Sequence, residues 1–377
     1  MKVLMLQDTS NYAGTEAHIL TLSDALSKVD KVEIELLAPR GSELEKRSQT
    51  MVLRCHVCRP SISAFFFSTI AIVGTTRPDI IHAHNGRMTL IAVLVAKLLG
   101  GKVVASQHFL EPAHVLSTGP LGKFKRALHQ WVGRQLDFRI CVSQAALTSM
   151  QKRRDIIAKT DSAYSVIHNG IDISKVRLSV TKTRLEVRSE LGIPSSAKLI
   201  MSAARLEPEK SIDTLLDAFK IVTDAGINAN LIITGDGSLQ VPLQQRIIDL
   251  GLSHLVNLAG FRKDVHSIMH ASDAFVLPSA NEPFGLVLLE AMSLGVPTLA
   301  AQSGGPLEII DDGSNGYLFR PNDAANLAER ILHVLQEPLK TSDISQLGER
   351  SVREKFSSSV MASATIRAYA APLGLGH

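Results

Sequence analysis

The chain has 377 residues, of which 45% are hydrophobic and 20% charged, as expected for a soluble protein of about two to three domains. This composition excludes a disordered tail protein, a collagen-like repeat and a small disulfide scaffold. The 40 Lys and Arg exceed the 36 Asp and Glu by a net charge of only +4, too little to predict nucleic-acid binding.

The N-terminal residues MKVLMLQDTS predict a buried first strand, because their apolar run is too short for a signal peptide. The two most apolar runs, residues 62–74 and 88–99, are shorter than the ~20 residues that a spanning helix needs. The three cysteines, an odd and low number, indicate a reducing compartment, and we expect a cytoplasmic protein. Cys55 and Cys58 form a lone CxxC without the further ligands of a zinc site, so we interpret them as incidental thiols at a strand end.

Short β-like runs alternate with longer helical ones through the first half. The predicted strands are residues 3–6, 33–37, 80–82, 103–106, 139–142 and 165–167. The predicted helices are residues 14–28, 88–99, 123–136 and 144–152. This alternation is typical of a doubly wound parallel sheet covered by helices on both faces.

The second half repeats the pattern. Its predicted strands are residues 199–203, 230–234, 256–258, 274–277 and 298–300. Its predicted helices are residues 212–224, 239–250, 265–270, 285–294 and 324–336. We therefore predict an N-terminal domain over 1–172, a linker with a short helix over 173–197, and a C-terminal domain over 198–355. The helix predicted at the C-terminus, within 356–377, is expected to return to the first domain.

Ligands of doubly wound domains bind beyond the carboxyl ends of the strands. In the first half, Gly14 begins a helix after the first strand and permits close approach to backbone N–H groups. The alternative is a helix cap made by Thr15 and Glu16. His108 follows another strand, and the residue alone does not separate a structural from a catalytic role.

Three second-half loops occupy the same kind of position. Arg205 and Lys210 place two cations after one strand, suited to phosphate, although surface salt bridges to Glu207 and Glu209 are the alternative. Gly235-Asp-Gly follows the next strand but lacks the third glycine of a dinucleotide loop. Glu282 and Glu290 flank a helix start about 12 Å apart, too far for the paired acids of a retaining glycosidase. They are interpreted as contacts to different parts of one ligand, or as ordinary helix residues.

Together these motifs resemble the family-4 retaining glycosyltransferases, which have the GT-B fold of two Rossmann-like domains facing across a cleft. The strongest match is Glu282-PFGLVLL-Glu290, similar to that family's signature of two Glu separated by seven residues. The other matching segments are residues 13–16, 79–84, 108, 168–172, 202–210, 235–237, 260–262 and 291–319.

The resemblance implies roles. Arg205 and Lys210 neutralise the donor diphosphate, Glu290 accepts hydrogen bonds from the ribose, and His108 contacts the sugar near its reacting carbon. The donor site is completed by residues at loop ends and at a helix start, namely Gly14, Gly235, Phe261, Glu282, Phe284, Gly285 and Leu286. The reaction is transfer of a hexosyl or N-acetylhexosaminyl group from a UDP-, GDP- or ADP-sugar, with retained configuration, no resident cofactor and no required metal.

The acceptor is expected to be a glycan or a lipid-linked hydroxyl in cell-envelope or surface polysaccharide synthesis. The helix over residues 123–136 combines Lys123, Lys125, Arg126 and Arg134 with Phe124 and Trp131, and residues 152–154 are basic. Such a helix predicts peripheral contact with an anionic membrane, the alternative being an ordinary solvated face. A GT-B sugar-nucleotide epimerase and a non-catalytic nucleotide-sugar-binding protein are the competing functions.

Overall fold

The computed structural model describes residues 1–10, 13–110, 119–152 and 164–375. The chain forms two compact units, which we call unit 1 (Met1–Gly170 with Ser358–His377) and unit 2 (Ile171–Ser357). Each contains a wholly parallel sheet, so the prediction of two doubly wound α/β domains is confirmed. No helix in the described ranges is long and apolar enough to cross a bilayer.

Unit 1 has a seven-stranded sheet in the order β3-β2-β1-β4-β5-β6-β7. Its strands are β1 Lys2–Leu6, β2 Glu33–Pro39, β3 Arg54–Cys58, β4 Ile80–Ala83, β5 Lys102–Gln107, β6 Phe138–Cys141 and β7 Tyr164–Val166. Its helices are α1 Gly14–Ser27, α2 Glu43–Thr50, α3 Ile62–Thr76, α4 Gly86–Leu99, α5 Pro120–Gln135, α6 Gln144–Lys152 and the C-terminal helix Ser358–Leu373.

Side chains of β1 alternate between two cores, one on each face of this sheet. Val3 and Met5 pack with α1 and the C-terminal helix, whereas Leu4 and Leu6 pack with α3 and α4. A strand buried on both faces reads as a continuous apolar run, which explains why MKVLML contains no polar alternation.

The same alternation explains the cysteine pair. Cys55 packs against the first of these cores and Cys58 belongs to the second, on the opposite face of the sheet. Residues three apart on a strand point to opposite faces, so these two thiols cannot chelate one ion.

Unit 2 has a six-stranded sheet in the order β10-β9-β8-β11-β12-β13. Its strands are β8 Lys198–Ala203, β9 Ala229–Thr234, β10 Val256–Leu258, β11 Ala274–Leu277, β12 Thr298–Ala301 and β13 Tyr317–Phe319. Its helices are α7 Ile173–Leu178, α8 Arg184–Glu190, α9 Ile212–Asp224, α10 Gln240–Asp249, α11 Val265–His270, α12 Leu286–Ser293, α13 Pro306–Ile309, α14 Ala324–Gln336 and α15 Pro338–Lys355; the C-terminal helix of unit 1 is α16.

The predicted linker, residues 173–197, is instead part of unit 2 and contains α7 and α8. Its charges anchor it: Lys182 Nζ lies 2.8 Å from Asp264 Oδ2, and Arg262 bridges Glu190 at 3.0 Å. The buried guanidinium of Arg188 donates to the carbonyl of Ala197. The polar composition that suggests a linker therefore reflects ion pairs to the β10–α11 segment.

Candidate functional site

The strand order of unit 2 reverses between β8 and β11, which are neighbours although β9 and β10 separate them along the chain. At such a switch point the loops that follow the two strands diverge and leave a crevice for ligands. Arg205 and Lys210 lie in the loop after β8, and Glu282 lies in the loop after β11. The topology therefore gathers three predicted site residues at the carboxyl edge of one sheet.

Lys210 and Glu282 form a close ion pair across this switch point. Lys210 Nζ lies 2.7 Å from Glu282 Oε2, and only 15% and 10% of the two side chains are exposed. An ammonium has three N–H donors, so the bond to Glu282 leaves others for an anionic ligand. The pairing with Glu282 replaces the surface salt bridge to Glu207 or Glu209 that the sequence left open.

Of the two cations in the loop after β8, Arg205 is the more exposed to solvent. It bonds Glu209 at 2.8 Å with 60% of its side chain exposed, while Glu207 instead accepts from the Ser238 hydroxyl at 2.7 Å. An exposed pair four residues apart contributes little to stability. The guanidinium can therefore exchange Glu209 for a phosphate at small cost.

Gly235 shapes the loop that carries Arg205. Its φ of +122° suits glycine alone, and a Cβ there would lie 2.0 Å from the carbonyl oxygen of Ala204. Its N–H donates to the Gly260 carbonyl at 2.8 Å, and Phe261, which follows, is 64% exposed. Gly235 thus allows the close approach of the two loop backbones, and the Phe261 ring is exposed to solvent.

The turn before α12 is held by a ring contact and by a backbone hydrogen bond. Gly285 has a φ of +102°, and the Phe284 ring is buried against Phe356 with centroids 6.0 Å apart. The Glu282 carbonyl accepts from the Gly305 N–H at 2.9 Å. Leu286 begins α12, whose first N–H groups have no acceptor within the helix. These N–H groups therefore adjoin the loop that carries Glu282.

Glu290, in the second turn of α12, has a different partner from Glu282. Its Oε2 lies 3.3 Å from His266 Nε2, and His266 Nδ1 lies 2.6 Å from the Ser179 hydroxyl. His266 Nε2 is within ion-pair distance of Glu290 but makes no hydrogen bond among the described residues. The sequence gives no sign of this contact, because His266 and Glu290 lie in separate helices, α11 and α12.

Unit 1 reverses its strand order between β1 and β4, and Gly14 lies in the loop that follows β1 as the first residue of α1. The Glu16 carboxylate accepts from the Ala13 N–H at 2.9 Å and from Gln7 at 2.7 Å. The predicted helix cap is therefore present through Glu16, and Gly14 itself remains exposed.

His108 lies in a cluster of buried imidazoles at this edge. The ring centroid of His108 is 4.8 Å from that of His18 and 5.4 Å from that of His84; His82 lies 4.2 Å from His84. Burial lowers the pKa of His18 to about 4 and that of His82 to about 3. Burial, reinforced by the neighbouring rings, holds the pKa values of His84 and His108 well below 6.5.

Of the predicted site residues, Gly14 and His108 belong to unit 1. The others belong to unit 2, namely Arg205, Lys210, Gly235, Phe261, Glu282, Phe284, Gly285, Leu286 and Glu290. Each lies at or just beyond the carboxyl end of a strand, or in the helix that follows. Within the basic run 152–154, residues 153 and 154 fall outside the described ranges.

Two family models match the chain, and together they span most of it. Residues 12–175 match Glycosyltransferase Family 4, and residues 183–351 match Glycosyl transferases group 1. The two matches correspond closely to the two units. Sequence family and fold therefore agree over both halves.

Individual relatives are similar over most of their length. The chain is 28% identical to N-acetyl-alpha-D-glucosaminyl L-malate synthase of Bacillus anthracis, over 74% of this chain and 71% of the relative. It is 25% identical to a GDP-mannose-dependent monoacylated alpha-(1-6)-phosphatidylinositol monomannoside mannosyltransferase of Corynebacterium glutamicum, over 73% and 71%.

A solved structure, Anabaena Alr3699/HepE in complex with UDP-glucose, matches 97% of this chain and 98% of its own with a TM-score of 0.81 and 22% identity. At this identity the likeness shows the fold. With the two family models, it establishes that the chain belongs to the family-4 glycosyltransferases and has their GT-B fold.

Proposed function

We propose that this glycosyltransferase moves a hexosyl or N-acetylhexosaminyl group from a nucleotide-sugar to an acceptor hydroxyl, with retention of anomeric configuration. The observation that carries the proposal is the switch point of unit 2, where Arg205, Lys210 and Glu282 meet the start of α12. The Anabaena protein, similar in fold, is described with UDP-glucose bound, and the Corynebacterium relative is named for GDP-mannose.

In this proposal the cations act on the leaving nucleotide. Negative charge develops on the diphosphate as the sugar departs, and donors placed beforehand stabilise that charge most effectively. Lys210 is fixed by Glu282, whereas Arg205 is free to turn towards the phosphates because its surface pair is weak. Glu290 would accept from the ribose, His108 would contact the sugar, and no metal would be required.

A thermal-shift screen against UDP-, GDP- and ADP-sugars tests donor binding. A donor present at a hundred times its dissociation constant should stabilise the chain by ~2.7 kcal/mol. Arg205→Ala should reduce the shift for that donor, because it removes a phosphate contact. If no nucleotide-sugar shifts the unfolding temperature, the donor assignment is wrong.

The stereochemistry is tested by NMR of the product formed with that donor and an added acceptor. An α-linked donor should give an α-linked product, and the rate should be unchanged by a chelator. A β-linked product would contradict retention. An epimerised donor with no transferred sugar would instead indicate the epimerase.

We propose further that unit 1 carries a membrane-facing surface, which supplies a lipid-linked acceptor for cell-envelope synthesis. Helices α3, α4 and α5 pack in series on one face of the sheet. Their outer sides expose Phe67 (66%), Leu98 (65%) and Phe124 (65%). Lys97 lies over the Trp131 ring, 5.3 Å from its centroid. Apolar and basic groups on one side suit an anionic interface.

Binding to vesicles of phosphatidylglycerol and phosphatidylcholine at low salt tests this surface. The fluorescence of Trp131, the single tryptophan, should change on binding. Lys123→Glu combined with Lys125→Glu should weaken binding at least tenfold, since each surface cation contributes about 1 kcal/mol. The matched control, Lys340→Glu in unit 2, should bind normally. Equal binding to purely phosphatidylcholine vesicles would contradict the proposal.

A further inference from the structure

We propose that His18, His84 and His108 form a binding site in unit 1 for a divalent transition-metal ion such as Zn²⁺. Each of the three rings offers one ligand nitrogen, and these nitrogens all lie within 4.8 Å of one another. His84 Nδ1 and His108 Nε2 share a hydrogen bond of 3.1 Å, which an ion bound by these two atoms would replace. Two nitrogens bound to the same tetrahedral zinc lie about 3.4 Å apart, so this pair is already near the spacing that an ion needs.

The hydrogen bonding of the cluster separates ligands from structural groups. Both nitrogens of His18 and the Nε2 of His84 are buried without a well-aligned hydrogen bond among the described residues, and the Asn169 side chain lies beside the His18 ring. His82, by contrast, is satisfied at both ends, by the Tyr369 hydroxyl at 2.6 Å and by the Ser106 hydroxyl at 2.8 Å. A buried polar atom without a partner is costly, and a bound ion would remove that cost for the His18 nitrogen that ligates it.

Burial also prepares the site electrostatically. A metal ligand must be a neutral imidazole, and the burial of all three rings favours the uncharged form. His18 belongs to α1, and His84 and His108 directly follow β4 and β5. Imidazole donors suit zinc, copper, nickel and iron, whereas magnesium and calcium prefer oxygen.

Three protein ligands leave one position of a tetrahedral ion open. Because His108 is also the proposed sugar contact, an ion here would occupy its imidazole. The site would then offer a route to inhibition by zinc, separate from the cations that act on the diphosphate in unit 2. Its binding is measurable without any nucleotide-sugar, so it stands or falls independently of the proposed transfer.

Calorimetric titration of untagged, chelator-treated protein with ZnCl₂ tests the site. We expect one ion per chain, and at least tenfold weaker binding in His18→Gln and in His84→Gln. Two controls should bind normally: His129→Gln, which removes an exposed imidazole of unit 1, and Cys55→Ser, which removes a thiol. An absence of saturable binding, or unchanged affinity in both histidine variants, would overturn the site.

The visible spectrum of the Co²⁺ complex is recorded on the wild-type protein, so this test does not depend on whether the variants fold. Wild-type protein should show the absorption of four-coordinate cobalt with nitrogen ligands. A thiolate-to-cobalt charge-transfer band would place the ion on cysteine and overturn the proposal.

Discussion

Replacing either cation at the switch point of unit 2 should reduce sugar transfer by roughly 10²–10³-fold in kcat/KM, the effect of removing one pre-placed donor to developing charge. For Arg205→Ala, the free energy of unfolding should change by less than about 1 kcal/mol, because the Arg205–Glu209 pair is exposed. The two readouts, steady-state transfer and urea unfolding, separate a site role from a structural one.

Arg353→Ala is the matched control for Arg205→Ala. Arg353 pairs with Glu349 four residues away at 2.7 Å and is likewise 60% exposed, but lies in helix α15 rather than in a loop that follows a strand. It should retain normal transfer. Equal losses in Arg205→Ala and Arg353→Ala would contradict the phosphate assignment.

Lys210→Met requires a different control, because it leaves the Glu282 carboxylate partly buried and unpaired. The single variant should lose about 3 kcal/mol of stability. The double variant Lys210→Met/Glu282→Gln should recover that stability without recovering transfer. If transfer returned together with stability, the Lys210–Glu282 pair would be structural only.

Unit 1 should unfold much more easily at pH 5 than at pH 7. His18 and His82 have folded pKa values of about 4 and 3, below the unfolded value near 6.5. The unfolded chain therefore binds more protons, and stability is lost as the pH falls below 6.5 towards the folded values. Each histidine contributes about 2 kcal/mol of loss between pH 7 and pH 5, on the order of 4 kcal/mol for the two.

The single tryptophan makes this measurement specific. Trp131 belongs to unit 1, so its fluorescence during urea unfolding reports that unit. His18→Gln should reduce the pH dependence, because the glutamine does not titrate; His82, His84 and His108 should retain the remainder. His254→Gln, at an exposed position of unit 2, should leave it intact. A midpoint that stays constant between pH 7 and pH 5 would show that the cluster is protonated at little cost.

Strands and helices with clear patterns could be predicted from the sequence. Each predicted strand overlaps an observed one, as residues 33–37 do with β2 and residues 274–277 with β11. Strand β3 was indicated only by the interpretation of Cys55 and Cys58 as a strand end, because Arg54 and His56 interrupt its apolar pattern and it lies at the sheet edge. Helix α3 was not predicted, because it is apolar on nearly every side and so shows no helical period.

The residues of the candidate site also differ in how clearly the sequence indicates them. Glu282, Glu290, Arg205 and Lys210 could be proposed from the sequence because local motifs mark the ends of strands. The neighbours His18 and His266 could not be proposed from the sequence, because a single histidine within a helix carries no signal until a partner lies beside it. The partner of His266, Glu290, is 24 residues further along the chain.

The sequence by itself determined the fold class, the positions of the loops and the glycosyltransferase family, since these depend on local periodicity and on contiguous motifs. Only the tertiary structure decided which charges pair and which imidazoles meet. Lys210 reaches Glu282 across 72 residues, and His84 reaches His108 across 24, because β8 adjoins β11 and β4 adjoins β5. Such contacts follow from strand order, which the spacing of residues along the chain does not determine.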